Sequence, residues 1–261
     1  MSDTLVIIPT YNEKENAGAI AKAVLAACPE ADLLFVDDNS PDGTGQLADQ
    51  LVAAEPRIHV LHRQQKQGLG RAYIAGFRWA LERPAYRFIL EMDADFSHDP
   101  KAVPQLRAAA QKADLVLGSR YVGGIRVINW PLNRLILSTG AGLYVRLITG
   151  MPFFDPTGGF KCFRREVLAS MNLDGIRSNG YSFQIEMTHT AWHLGFQIVE
   201  SPIVFEERRE GQSKMSGGIV NEALFMVWKL LVRCGYRRHP ASVHPQSVAA
   251  PKGAAAGSAA G

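Results

Sequence analysis

Short apolar runs alternate with amphipathic stretches along the first half of the chain. Leu5-Val6-Ile7-Ile8, Leu33-Leu34-Phe35-Val36, Ile58 to Leu61, Phe88 to Met92 and Leu115-Val116-Leu117 are each too short for a helix. Their unbroken apolar character is the pattern of parallel strands buried on both faces. Helical patterns separate them, from about Glu15 to Cys28, from Thr44 to about Ala54, and from Arg71 to Leu81 behind Gln67-Gly68-Leu69-Gly70. An alanine-rich helical stretch follows Pro100. Strands alternating with helices over about 120 residues predict an α/β domain with a doubly wound, mostly parallel sheet.

Four of the five predicted strands stop at groups of candidate chemistry: Pro9, Tyr11 and Glu13; Asp37 and Asp38; Asp93 and Asp95; Arg120. All are carboxyl ends, so these groups are expected on one rim, where ligands collect in open α/β sheets. On an extended chain Asp93 and Asp95 point the same way, and two such carboxylates repel. A hard cation relieves that repulsion, and Mg²⁺ or Mn²⁺ is held by one or two carboxylates together with substrate phosphates. The stretch therefore reads as a metal-diphosphate site, against the plainer reading of a loop that begins with acids. Asp37, Asn39 and Asp42 read equally as helix caps or turn residues and as ligands.

Beyond Gly124 the pattern changes. Asn129-Trp130-Pro131 leads into a mostly apolar helical stretch, Leu132 to Ile148, broken by Arg134 and Arg146. A turn-forming cluster, Asp155 to Phe160, feeds Lys161-Cys162-Phe163, and Tyr181 to Leu194 reads as a helix. Phe196 to Phe205 reads as a strand broken by Pro202, followed by a polar loop from Glu206 to Lys214 and an apolar stretch from Ile219 to Leu231. Two apolar helices flanked by Arg and Lys, about 129–149 and 216–235, are expected to lie in a membrane interface; packing in the core is the other reading. The folded body is expected to span 1–238, and the Ala, Gly and Pro-rich stretch 239–261 is expected to be disordered.

Composition narrows the picture. Of 261 residues, 47% are hydrophobic and 20% charged, which suits a globular protein with a full core. A net charge of only +3 argues against a nucleic-acid partner. Cys28, Cys162 and Cys234 lack metal-ligand spacing and suit a reducing compartment. The first strand begins almost at Met1, leaving no room for a signal peptide, and no run of 18 apolar residues spans a bilayer. The expectation is a cytoplasmic protein held peripherally at the inner face of the membrane.

Taken in order, the motifs resemble those of family-two inverting glycosyltransferases of the GT-A fold, and most closely polyprenol-phosphate (dolichol-phosphate) mannose synthases. The matching pieces are Ile8 to Glu13, Val36 to Thr44, Gly68-Leu69-Gly70, Met92 to Asp95, Gly118 to Tyr121, Asn129-Trp130-Pro131, Gly158 to Phe160, and Phe205 with Arg208, Gly211, Ser213 and Lys214. The likeness covers about residues 4–235. It implies a Rossmann-like nucleotide-diphospho-sugar transferase fold, a GDP-mannose donor, a polyprenyl (dolichyl-type) phosphate acceptor and Mg²⁺ or Mn²⁺. Carried over by position, it implies that Pro9, Tyr11, Glu13, Val36 and Asp38 hold the guanosine. Asp93, Ala94 and Asp95 meet the diphosphate and metal, and Arg120, Arg208 and Lys214 face the phosphates. Arg134 and Ser138, with Arg120, take the acceptor phosphate. The family often carries Gln where this chain has Ser97, so the third metal ligand becomes a shorter hydroxyl. A separate membrane-anchoring subunit remains open.

Read physically, this chemistry needs no general base, because a lipid phosphate is already an anion. The site must manage charge: a Lewis-acidic cation at the leaving diphosphate and Arg forks at the phosphates. In-line attack inverts the anomeric centre, so an α-linked donor gives a β-linked lipid phosphate mannose. The alternatives are another donor, such as UDP-glucose or UDP-N-acetylglucosamine, and a non-catalytic nucleotide-sugar-binding or scaffold protein. Dinucleotide oxidoreduction fails because no Gly-x-Gly-x-x-Gly follows the first strand. Arg208 also reads as a solvated ion-pair residue, Arg134 as a headgroup contact, Asp155 as a turn builder and Glu186 as structural. His59, His62, His98, His189 and His193 show no ligand spacing.

Overall fold

In the computed structural model, residues 2–206 and 226–232 are described. The elements run β1 (Thr4–Thr10), α1 (Lys14–Ala27), β2 (Ala31–Asp37), α2 (Thr44–Ala54), β3 (Ile58–His62), α3 (Leu69–Leu81), β4 (Phe88–Glu91), α4 (Val103–Ala110) and β5 (Leu115–Ser119). They continue with β6 (Val127–Ile128), α5 (Leu132–Thr149), β7 (Lys161–Arg164), α6 (Arg165–Ala169), α7 (Gly180–His193), β8 (Ile198–Pro202) and β9 (Phe205–Glu206).

Seven strands form one sheet in the order β3-β2-β1-β4-β7-β5-β8. The first four run parallel, as the apolar runs predict. Alternate residues face opposite ways along a strand, so each run feeds two cores. Leu5, Ile7, Leu34 and Val36 pack with Tyr73 and Phe77 of α3 and Phe183 of α7. Val6, Ile8, Leu33 and Phe35 pack with Ile20 and Val24 of α1 and Leu106 of α4. The register pairs Thr10 with Asp37, and Asp37 with His62, which levels the carboxyl ends of three strands on one rim.

Three features depart from the sequence reading. Lys161-Cys162-Phe163 is a strand, β7, inserted antiparallel between β4 and β5; only tertiary pairing reveals its place. The segment 196–205 breaks at Pro202 as expected, its missing N–H unable to continue a ladder, but its two parts lie in different sheets: β8 ends at Pro202, and Phe205 pairs with Val127 in a separate two-stranded sheet. Asp93 to Asp95 is not extended throughout either, because the chain bends from Ala94 onward and Phe96 takes φ of 60°.

The helix α5 buries only Gly142, Val145 and Thr149. Leu132, Ile136 and Leu147 are 70%, 61% and 67% exposed, so this helix does not simply pack in the core. In the second expected interface segment, residues 226–232 are helical: Val227 and Leu230 enter the core, while Trp228 and Val232 are exposed. The rest of that segment and the stretch 239–261 lie outside the described residues. No helix among the described residues is long and apolar enough to cross a membrane. Cys28 and Cys162 are buried free thiols, both pushed up by burial, Cys28 to about 11.

Candidate functional site

A cleft of about 440 Å³ opens along the carboxyl rim. Its floor is the bend after β4. Asp95 turns the chain by accepting the Ser97 N–H at 3.1 Å, and Asp93 donates its own N–H to His98 Nδ1 at 3.1 Å. The imidazole of His98 is stacked on Phe160, with ring centroids 4.8 Å apart, and meets the edge of Phe205. Burial pulls His98 below its ordinary value, so it is neutral near pH 7. The Tyr73 hydroxyl lies 3.4 Å from Asp93 Oδ1, and burial with the nearby carboxylates drives Tyr73 well above the usual phenol range.

Beneath this floor, Glu91 of β4 and Lys161 of β7 are cross-strand neighbours, both fully buried. Burial pushes Glu91 up to about 7 and Lys161 down to about 8, each opposed by the charge of the other. The Lys161 ammonium donates to the backbone carbonyl of Gln184 at 2.9 Å and to its side-chain oxygen. Neither Glu91 oxygen has a hydrogen-bond partner among the described residues.

The wall opposite is organised by Arg120, just past β5. Its Nε and Nη2 donate to the two oxygens of Asp155 at 2.7 and 2.6 Å, and Nη2 also reaches Thr157 at 2.9 Å. Burial alone would raise Asp155, but the Arg120 charge and hydrogen bonds outweigh it and hold the carboxyl below its usual range. Glu200 of β8 fixes the loop from behind by accepting the N–H groups of Phe154 and Asp155 at 2.8 and 2.9 Å. Arg134, near the start of α5, lies with its Cζ 4.3 Å from the Trp130 ring and reaches the same cleft.

The nucleotide-side rim is a network of turns. Asp37 accepts from Thr10 Oγ1 and from the N–H and hydroxyl of Ser40, and Asp42 accepts from Lys14 N and Thr44. Both acids thus fold the loops. Asp38 is ion-paired with Arg63 and accepts the Gln67 N–H at 3.2 Å, tying β2 to the loop before α3. Lys66 sits 3.7 Å over the Tyr11 ring.

Of the residues singled out in the sequence, Pro9, Tyr11, Glu13, Asp38, Asp93, Ala94, Asp95, Ser97, Arg120 and Arg134 line this one cleft. Two do not. Val36 is fully buried with its side chain in the core below the rim, because it lies one residue short of the strand end. Ser138 accepts the Tyr121 hydroxyl at 2.7 Å and lies off the cleft. Arg208 and Lys214 fall outside the described residues. Asp155 is more than a turn builder, since it carries the partner charge of Arg120. Lys66, His98, Thr157, Asn179, Tyr181 and Gln184 also line the cleft and were not anticipated. For His98 a signal existed, three residues past Asp95 on the same rim. The others belong to distant segments that only the fold assembles.

Hard-cation chemistry suits what is present at the bend. Among the described residues no three His, Cys, Asp or Glu side chains gather as a metal site. Asp93 and Asp95 with the Ser97 hydroxyl offer oxygen donors only, the kind of partial set that Mg²⁺ or Mn²⁺ completes with phosphate and water.

A parallel-stranded domain with acids on one rim and guanidinium groups facing them is the frame of a nucleotide-sugar transferase. The glycosyl transferase family 2 model matches residues 5–171, and the chain belongs to this family, with the GT-A arrangement of a mostly parallel sheet between helices. It is 51% identical over 231 residues to an undecaprenyl-phosphate mannosyltransferase of Micrococcus luteus, covering 88% of this chain and 95% of that one. It is 52% identical over 226 residues to a polyprenol monophosphomannose synthase of Mycolicibacterium smegmatis, covering 86% and 85%. Among solved structures, glucosyl-3-phosphoglycerate synthase from Mycobacterium tuberculosis, in complex with Mn²⁺, uridine diphosphate and phosphoglyceric acid, aligns with a TM-score of 0.63 at 19% identity, over 91% of this chain and 80% of that one. That likeness concerns the fold alone.

Proposed function

We propose that this glycosyltransferase moves mannose from GDP-mannose to a polyprenyl phosphate with inversion, giving a β-linked polyprenyl phosphate mannose. The observation that carries the reading is the meeting of Asp93 and Asp95 with Arg120 and Arg134 in one cleft. Two relatives at 51% and 52% identity, named for mannosyl transfer to polyprenyl phosphates, support the sugar and the acceptor.

Asp93, Asp95 and Ser97 would hold the Mg²⁺ or Mn²⁺, which when bound supplies Lewis-acid stabilisation of the leaving diphosphate. The protein's own groups do the rest. Pro9, Tyr11, Glu13 and Asp38 bind the nucleoside, with the backbone of Ala94 beside the diphosphate. Two of the three guanidinium nitrogens of Arg120 are engaged by Asp155 and Thr157, so Nη1 is left to meet a phosphate from a fixed position. Arg134 binds the acceptor phosphate from the base of α5. Held in line, an anionic phosphate attacks without a base, and the barrier falls through alignment and preorganised charge. The exposed apolar face of α5 lies against the membrane surface, presenting the lipid phosphate to Arg134; Arg208 and Lys214 are assigned to the donor phosphates.

Radiolabelled GDP-mannose, Mg²⁺ and polyprenyl phosphate are incubated with purified protein and extracted into organic solvent. Label enters the lipid phase with wild type, is lost with Asp95→Ala and falls sharply with Arg134→Ala. Unchanged transfer by Asp95→Ala would reject the metal assignment. Preference for UDP-glucose or UDP-N-acetylglucosamine in the same assay would replace the donor, and no transfer from any donor would leave a binding protein.

A further inference from the structure

We infer that His98 is a hydrogen-bond donor to the nucleotide's diphosphate and not a ligand of the metal. The inference rests on the reading of the cleft as a nucleotide-sugar site. A histidine three residues beyond Asp95, on the same rim and 98% buried, is the obvious candidate to complete a metal site that has only two carboxylates. Its hydrogen bonding forbids this.

The Asp93 backbone N–H points at Nδ1, at 3.1 Å. An N–H can only donate, so Nδ1 carries the lone pair, and the proton of the neutral ring must sit on Nε2. A protonated nitrogen has no electron pair for a cation. The ring is held in this orientation, because Phe160 stacks on one face and Phe205 closes the edge. Nε2 has no hydrogen-bond partner among the described residues, while the residue borders the cleft beside Asp93, Asp95 and Gly159. A Cβ added at Gly159 would lie 3.6 Å from His98 Cε1, so the wall is bare backbone where the ring meets it. An N–H on the lining of a cleft built for anionic oxygen is placed to donate to a phosphate. Asp93 is thereby held by the same ring that contacts the diphosphate, which couples the position of the bend to nucleotide occupancy.

The substitution His98→Asn keeps an acceptor oxygen where Nδ1 stands but leaves nothing at Nε2. His98→Gln places an amide N–H near Nε2. Binding of Mn²⁺ alone is read by electron paramagnetic resonance, and binding of GDP and of UDP with Mn²⁺ by calorimetry. The expected result is unchanged Mn²⁺ binding in His98→Asn, a loss of roughly 10- to 100-fold in nucleoside diphosphate affinity, and recovery of most of it in His98→Gln. If Asn leaves the aromatic slot too empty to fold, His98→Phe refills it and removes the same donor, and the loss of nucleoside diphosphate affinity alone is read from it, because Phe also removes the acceptor of the Asp93 N–H. Weakened binding of Mn²⁺ alone would make His98 a metal ligand and overturn the inference, as would an unaltered nucleoside diphosphate affinity. Wild-type protein that bound neither nucleotide would instead bring down the nucleotide-sugar reading itself, and this inference with it.

Discussion

Arg120 and Asp155 form a two-pronged ion pair, Nε to Oδ2 at 2.7 Å and Nη2 to Oδ1 at 2.6 Å, with both side chains buried. Removing one partner of such a pair strands a charge away from water. Arg120→Ala is therefore expected to lose about 3–5 kcal/mol of stability together with transfer activity. Coupling it with Asp155→Asn restores much of the stability by removing the orphaned charge, but not the activity. Urea unfolding of both variants beside the lipid-extraction assay separates the two effects.

The same pair shapes the acid limb of stability. The folded value of Asp155 lies below its ordinary 3.8, so folding favours the ionised form. That contribution is complete above about pH 4 and is lost as pH falls through the depressed folded value. Asp155→Asn should be less stable than wild type at pH 7, with the gap narrowing below pH 4. Denaturation curves from pH 2 to 7 would show this; a gap independent of pH would exclude ionisation as its source.

Leu132, Ile136 and Leu147 stand 70%, 61% and 67% exposed on α5. Replacing all three by Ser removes apolar surface without touching the core, so stability should change little, within about 0.5 kcal/mol per site. Sedimentation with anionic vesicles should fall several-fold, while transfer to a short, water-soluble prenyl phosphate is retained. Equal vesicle binding by the triple variant would remove this face from the membrane contact.

Gly70, at the start of α3, backs onto the loop that carries Asn179 and Gly180. A Cβ here would lie 2.5 Å from the Ser178 carbonyl oxygen and 2.9 Å from the Phe183 ring. Backbone cannot yield as a flexible side chain can, so Gly70→Ala should cost about 1–3 kcal/mol and displace the wall formed by Asn179, Gly180 and Tyr181. A lowered Tm with a raised KM for the donor is the expected pair of changes. A neutral substitution would mean that this wall moves freely.

Local pattern was enough for the strands and helices up to Leu117, because strands buried on both faces are apolar without interruption and each ends in turn chemistry. The gathering of Asp93, Asp95 and Arg120 followed from one rule about strand ends, whereas Arg134, on α5, was placed beside them only by the resemblance. What local pattern could not supply were pairings across long separations. Lys161 stood in the sequence only as the residue after a turn-forming cluster, yet it stands opposite Glu91 in the sheet. Asp155 looked like punctuation before Pro156, though its partner lies 35 residues earlier. The extended geometry assumed for the two aspartates failed because Asp95 turns its own backbone through Ser97, a conformation invisible in residue type. Val36, one position before the strand end, has its side chain in the interior, while Asp38, just past the end, lines the cleft.

The chain leaves the sheet at Arg120, travels out through α5, and comes back at Asp155. The ion pair is therefore a clasp that buttons the two ends of this excursion together, with Glu200 stitching the returning side to β8. Breaking this clasp would free both ends of the excursion at once, so α5 and the cleft wall at Arg120 depend on the same ion pair.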